Sequence, residues 1–487
     1  MFKFWRLGVK ENQNKKNNLV GTLTSDNIKK ALGKSNDVVI KNINFGDRKI
    51  TIKAIGIDGL VNSEMIDEYI LKPLTVEKDF REATSEKEVY SLTKNGSLYH
   101  FSQKEVNTLM EAIESILEGN TIVVFDNIKK AISFDIKKIP QRSIQEPESE
   151  SVLKGARDAF VENLRTNTAL IRKKVKSTSL RFENFVVGEE TNTPVNIVYL
   201  EDVADYDVLV NLKEKLANID VSNMLSSDNF ESNIKDNKYS IFPQIQYTER
   251  VDKFCSNIVD GKIGVLIDGL PLGYIVPGLF SMFLQAPEDY SDNYIISSFV
   301  RVIRYFCFAI ALVLPAFYVA ITTFHHEMIP TNLLISIIKS KEGVPFSTFI
   351  EVLGLLIAFE MLLEASLRLP KTIGATISII GGLIVGEAAV NAKFLSPAVV
   401  VIVAVTGIAG FVIPNRALAN SVRVCRLLLV LAAGLAGLFG ISFTLMITLA
   451  YLCKLESFGV PYLTPYVGTE SKGVMHDSIF RSPRDIK

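Results

Sequence analysis

The stretch Phe306-Cys-Phe-Ala-Ile-Ala-Leu-Val-Leu-Pro-Ala-Phe-Tyr-Val-Ala-Ile-Thr-Thr323 decides the fold. It carries no charge, follows Arg301 and Arg304, and approaches the ~20 apolar residues that a helix needs to cross a bilayer. Four more apolar stretches follow: Phe349–Leu367, Ile373–Asn391, Ala398–Ile413 and Leu427–Leu452. The chain therefore reads as ending in a polytopic all-α membrane domain over 298–454, with five spans or six, and a C-terminal tail over 455–487. Arg301/Arg304, Arg368/Lys371 and Arg416/Arg423/Arg426 fall on alternate loops, which makes their side cytoplasmic. Lys339 and Lys341 fall on the other side, and with five crossings so does the tail. A sixth crossing, or a break at Gly434–Gly440, returns the tail to the cytoplasm; both remain open. Thr331–Ile338 is too short to span and is placed at the interface.

Upstream the composition changes. Most of the charge lies in the first 297 residues, and the totals balance at 53 basic and 53 acidic residues. A nucleic-acid binder should carry a basic excess, so that class is set aside. Residues 1–44 read as a polar N-terminal tail with no secretory signal, which keeps the soluble part in the cytoplasm. Cys255, Cys307, Cys425 and Cys453 stand alone, so neither a disulfide framework nor a zinc site is indicated.

The soluble part reads as α/β with two tandem subdomains, 45–145 and 190–297, joined by a helical segment over 146–189. Arg48–Asp58 alternates polar and apolar residues into an Asp58-Gly59 turn. Ser102 with Glu105 forms a capping box for a helix that stops at Gly119. Thr121–Phe125 is a buried strand. Ile116-Leu-Glu-Gly119 before Val123-Val-Phe-Asp126 matches Ile258-Val-Asp-Gly261 before Val265-Leu-Ile-Asp268, 142 residues on. Ile57-Asp58 likewise matches Leu200-Glu201 at 143. Generic helix-glycine-strand grammar is the alternative to a true repeat. The basic run Asn163–Lys176 reads as a solvated helix face or as a contact to anionic lipid or a partner.

Enzyme motifs fail, and no cofactor is expected. Leu32-Gly33-Lys34-Ser35 lacks the earlier glycine of a phosphate loop, where Ile28 stands. His325-His326-Glu327 cannot present two histidines on one helix face. The informative residues are charges among apolar neighbours, which are costly in a bilayer and face a bundle interior or a water path. Glu360, Glu364 and Arg368 share one helix side, so Glu364 can pair with Arg368. They read as a gate or as glue between helices. Gly381, Gly382 and Gly386 permit close packing, and Leu383, Gly386 and Glu387 are the candidate pore lining. A secondary transporter would show inverted repeats, whereas repetition here is confined to the soluble half.

Several motifs together resemble one family. They are Glu146-Pro-Glu-Ser-Glu150, Leu170-Ile-Arg172, Thr248-Glu-Arg250 with Asp252, Glu288-Asp-Tyr290, Phe324-His-His-Glu-Met-Ile-Pro-Thr331, Gly343-Val-Pro-Phe346, Arg368-Leu-Pro370 and Ser457-Phe-Gly-Val-Pro-Tyr462. Over about residues 45–465 the chain resembles the GerA-family A subunits of spore germinant receptors. It departs at Ala156-Arg157-Asp-Ala-Phe160, at Val251 and at Ser291, where the family has Pro-Arg-Glu-Gly-Phe, Pro and Tyr. The resemblance implies residence in the spore inner membrane with a transporter-like, nutrient-binding B subunit and a lipoprotein C subunit. It also implies a homo-oligomer that forms a nutrient-gated cation channel; a non-conducting scaffold is the alternative. Thr248, Glu249, Arg250, Arg157, His325, Glu327 and Pro330 are the structural motif positions, with Arg250 as an ion-pair partner.

Overall fold

The structure is a computed structural model that describes residues 21–33, 35–45, 50–95, 98, 102–137, 156–219, 227–368, 386–467 and 478–481. The chain divides into two units. The first comprises Met1–Lys238, Ile245–Pro277 and Ser457–Val460; the second comprises Tyr239–Gln244, Gly278–Glu456 and Pro461–Lys487.

The first unit holds two antiparallel five-stranded sheets. Sheet one contains β1 (Val38–Phe45), β2 (Ile50–Ile57), β3 (Gln103–Val106), β4 (Thr121–Phe125) and β5 (Lys130–Phe134), in the order β1-β2-β4-β5-β3. Sheet two contains β6 (Leu180–Val187), β7 (Thr193–Leu200), β8 (Gln246–Thr248), β9 (Ile263–Ile267) and β10 (Gly273–Val276), in the order β6-β7-β9-β10-β8. The two orders are the same, so the repeat is structural. β4 is buried along its whole length. Its alternation sends Val123 and Phe125 to one core and Ile122 and Val124 to the other, because successive side chains leave opposite faces of a strand.

Among the helices that pack on the sheets are α1 (Ser25–Leu32), α2 (Leu109–Leu117), α3 (Leu164–Lys174) and α4 (Val251–Val259). α2 and α4 end alike. Gly119 and Gly261 both have φ of 90°, which a side chain rarely tolerates, and their N–H groups bond to Ile116 and Ile258.

Three expectations change. The helix cap is Thr108, not Ser102: Thr108 accepts from the Glu111 N–H, and Glu111 reaches back to accept from the Asn107 N–H. Residues 103–106 are strand because they pair with β5. Residues 25–44 are not tail: Ile28 and Leu32 of α1 are fully buried, and β1 pairs along β2. The segment 146–189 contains α3 and all of β6, so its described part is the start of the second copy.

α3 is more than a solvated basic face. Arg172, 2 % exposed, donates to both oxygens of Asp37 at 2.9 Å and to Ser35 Oγ at 3.2 Å. This buried pair ties the second copy to the segment leading into β1.

The second unit is helical: α5 (Tyr294–Thr323), α6 (Thr331–Ser340), α7 (Thr348–Arg368), α8 (Pro397–Phe411) and α9 (Arg416–Lys454). Straight, the 39 residues of α9 would reach roughly 58 Å at about 1.5 Å per residue. They do not. Ala436 and Gly437 leave helical geometry, Gly437 at φ 58° and ψ −137°. Leu418, Val422 and Cys425 then share one core with Leu452 and Leu455. A side chain on Gly440 would run into the Ala432 carbonyl. α9 is therefore a hairpin of two antiparallel helices, turned at the break that the glycine pattern had left as one of two options.

Removing one partner of a buried pair leaves the other charge uncompensated. Asp37→Ala is expected to cost about 3–5 kcal/mol, read as a lower denaturation midpoint and faster amide exchange in α3 and β1. Replacing Asp37 and Arg172 together with apolar residues should recover most of that loss.

Candidate functional site

The charges within the helical unit form three clusters. At the start of α5, Asp289 binds two arginines: Arg301 Nε at 3.0 Å and Arg304 Nη1 at 2.9 Å, with all three side chains buried. Arg304 also donates to the Leu284 carbonyl at 2.6 Å. In sequence these arginines mark a membrane side. Their partner, in the Glu288-Asp-Tyr290 motif, was missed, although twelve and fifteen residues upstream of a helical pair is within reach of one turn.

At the first turn of α7, Glu351 is fully buried. It accepts from the Ser396 N–H at 2.7 Å, at the start of α8, and lies 3.5 Å from the Lys341 ammonium. Lys341 also donates to Thr348 at 2.7 Å. This contact accounts for a lysine on the side where the charge pattern resists it.

The third cluster involves the predicted gate. Glu360 on α7 accepts from Arg426 on α9, and its other oxygen lies 3.7 Å from Arg423. Arg426 is 3 % exposed. The two arginines are three residues apart on one helix face, so both meet the same carboxylate. The neighbouring space, bounded by Phe359, Leu363, Gly407 and Gly410, is about 20 Å³, room for one water. Glu360 is thus joined to a helix 66 residues away rather than grouped with Glu364 and Arg368 alone. Glu364 lies on the same helix; the Arg368 side chain lies outside the described residues.

Of the pore candidates, Leu383 also lies outside the described residues, with Gly381 and Gly382. Gly386 is buried near Val400 and Glu387 is exposed. The motif positions are distributed. In the first unit, Thr248 Oγ1 accepts from the Arg250 N–H, the Glu249 carbonyl accepts from Phe160, and Arg250 pairs with Asp252 at 2.6 Å. Arg157 is exposed two residues before the Ala159–Arg250 bridge. In the second, Phe324 and His325 pack against Gly437, at the turn of the α9 hairpin. Glu327 and Pro330 are exposed around the short turn His326–Met328.

Among the described residues, α5 and α9 are the helices long and apolar enough to cross a membrane by length and composition, and α8 is a shorter apolar helix. Apolar side chains stand exposed along them, among them Phe299, Phe306, Ile408, Leu435 and Phe439. Fold and site together define a two-part protein, a duplicated α/β region joined to apolar helices braced by internal ion pairs.

Comparison with known proteins identifies the group. Residues 26–487 match the family described as Bacillus/Clostridium GerA spore germination protein. Spore germination protein KA of Bacillus subtilis is 37 % identical over 456 residues, covering 93 % of this chain and 83 % of that one. The uncharacterized membrane protein YfkQ of the same organism is 38 % identical over 441 residues, covering 90 % and 85 %. A crystal structure of the N-terminal domain of the A subunit of the Bacillus megaterium spore germinant receptor GerK3 aligns at 26 % identity and a TM-score of 0.42, covering 53 % of this chain and 96 % of that one. The chain belongs to the GerA family of spore germination proteins.

Glu360→Ala is expected to strand Arg426 among apolar helices and to destabilise the helical unit by about 3–5 kcal/mol. Thermal unfolding of the detergent-solubilised protein measures this. The double variant Glu360→Ala/Arg426→Ala should unfold closer to wild type than the single one.

Proposed function

We propose that the protein is the A subunit of a nutrient germinant receptor, a multi-pass membrane protein that oligomerises with its own kind and acts as a nutrient-gated monovalent-cation channel. The B subunit would bind the nutrient and bias a two-state membrane domain, with the lipoprotein C subunit completing the complex. Membership of the family supports the germination role.

The observation that carries the membrane reading is the α9 hairpin. The chain leaves the α/β unit at Pro277 and re-enters it at Ser457, where Phe458 packs into the core of sheet two. A domain on one side of a membrane that the chain leaves at Pro277 and re-enters at Ser457 needs an even number of crossings between. The two arms of α9 supply the last two, α5, α7 and α8 three more, and the apolar stretch Ile373–Asn391 the sixth. Arg481 donates to the Tyr290 and Asp292 carbonyls, and its N–H meets Ser298 Oγ at 3.0 Å. These residues flank the start of α5, which supports a tail on that same, cytoplasmic side. Phe324 and His325 against Gly437 join the opposite ends of α5 and of the hairpin in the same way.

The ion pairs favour a second reading for part of the site. Glu360 and Glu351 are held by Arg426 and Lys341, which suits glue between helices and a non-conducting scaffold. The pore assignment therefore rests on Leu383, Gly386 and Glu387.

Two measurements test this. Monovalent-cation flux in liposomes holding the subunit with its partners should respond to nutrient and should change with Leu383→Ala or Glu387→Gln. Absence of flux from assembled, nutrient-binding complexes would leave the scaffold. For the topology, in a cysteine-free background, Glu342→Cys is expected to react with an impermeant maleimide from outside, and Val467→Cys only after permeabilisation. Labelling of both from outside would refute the six-span arrangement.

A further inference from the structure

The chain trades short segments between its two units. Tyr239–Gln244 lies among α/β elements in sequence but belongs to the helical unit, and Ser457–Val460 follows α9 but belongs to the α/β unit. Each carries a phenylalanine into the core that receives it. Phe242 is buried with Leu418, Leu452 and Tyr462, and Phe458 with Ile234, Val265 and Tyr274. The first segment touches both arms of the α9 hairpin. The Ile241 carbonyl accepts from Ser421 Oγ on the first arm, and the Phe242 ring lies 6.3 Å from that of Tyr451 on the second.

The second segment is the tip of a loop closed within the helical unit, where the Tyr462 N–H donates to the Leu455 carbonyl at 2.9 Å. At the tip, Phe458 and Gly459 have φ of 54° and 80°. Two successive positive values belong to tight reversals that favour glycine or asparagine, and a bulky residue there is strained. Glycine takes the second position. Phenylalanine takes the first against its backbone preference, and what offsets that cost is where the ring goes.

The seat of Phe458 is specific. Its ring is 2 % exposed in the core of sheet two, with the Lys215 ammonium 4.3 Å from the ring centroid. Its N–H donates to Asp236 Oδ2. Lys215 pairs with the other oxygen of Asp236 and donates to the Ile234 carbonyl at 2.8 Å. Asp236 stands three residues before Tyr239, where the chain passes into the helical unit. One carboxylate thus holds the loop that returns from the second arm of α9 and sits beside the segment that meets both arms. Backbone strain held in place by its surroundings is the mark of a position kept for a task.

We propose that Phe458, seated by Asp236 and Lys215, is a positioning residue that couples the state of the α9 hairpin to the packing of sheet two. A shift of the second arm draws on Phe458 through Leu455 and Ser457. A shift of either arm draws on Ile241 and Phe242, and through them on Asp236. Both routes load the same seat, so a rearrangement of the helices alters the core that contains Val265 and Tyr274. The coupling is reciprocal: what loosens that core biases the hairpin by the same free energy. The relay serves a channel and a scaffold equally, and its test involves neither nutrient nor ion flux.

The experiment is a double-mutant cycle read by amide hydrogen exchange on the full-length protein in nanodiscs. The helical unit is loosened by Glu360→Ala, or by Leu452→Ala where the first does not fold. Exchange in β9 and β10 is expected to quicken by about threefold or more, while β4 of sheet one is unchanged. Phe458→Gly keeps a residue suited to the turn and removes the ring. In that background β9 and β10 exchange faster at rest, and the added response to Glu360→Ala falls to about onefold. Should Phe458→Gly misfold, Asp236→Ala decides, with the response reduced below about twofold. A sheet two indifferent to the helical variants overturns the proposal. So does a response of equal size with the seat removed, or one shared by β4.

Discussion

The turn at Ala436–Gly437 is the constraint on which the helical unit depends. A side chain at φ 58° and ψ −137° is strained, and a straight helix through this point would carry Leu455 far from Leu418. Instead both ends of α9 share one core with Phe283 and Tyr462, and the turn rests on Phe324 and His325 at the end of α5. One backbone reversal thus sets which helix ends lie together. One of the ion pairs also involves this helix: Arg426 meets Glu360 where the first arm of the hairpin runs beside α7.

Much of the α/β region was legible in the residues, for local reasons. Gly119 and Gly261 mark helix ends that only glycine closes well, and the apolar run Thr121–Phe125 has one sensible reading. The capping box shows the limit. Ser102-x-x-Glu105 and Thr108-x-x-Glu111 fit the same pattern, and the pairing of β3 with β5 chooses between them. α1 was lost in a lysine-rich stretch because eight residues give periodicity little room.

The candidate site was less legible, because its partners are distant in sequence. Helical spacing groups Glu360 with Glu364 and Arg368; nothing in spacing points to Arg426. Arg301 and Arg304 look like interfacial cations until Asp289 folds back onto them.

The return of Phe458 to the core of sheet two ties the order of synthesis to the order of folding. That core also contains Val265, Tyr274 and Ile234, all made before the helices begin. The residue that completes it emerges only after the last arm of α9. A nascent chain therefore carries an unfinished soluble core until its helices have been laid down and the chain has come back. Closure of that core therefore waits on the helical unit as a whole.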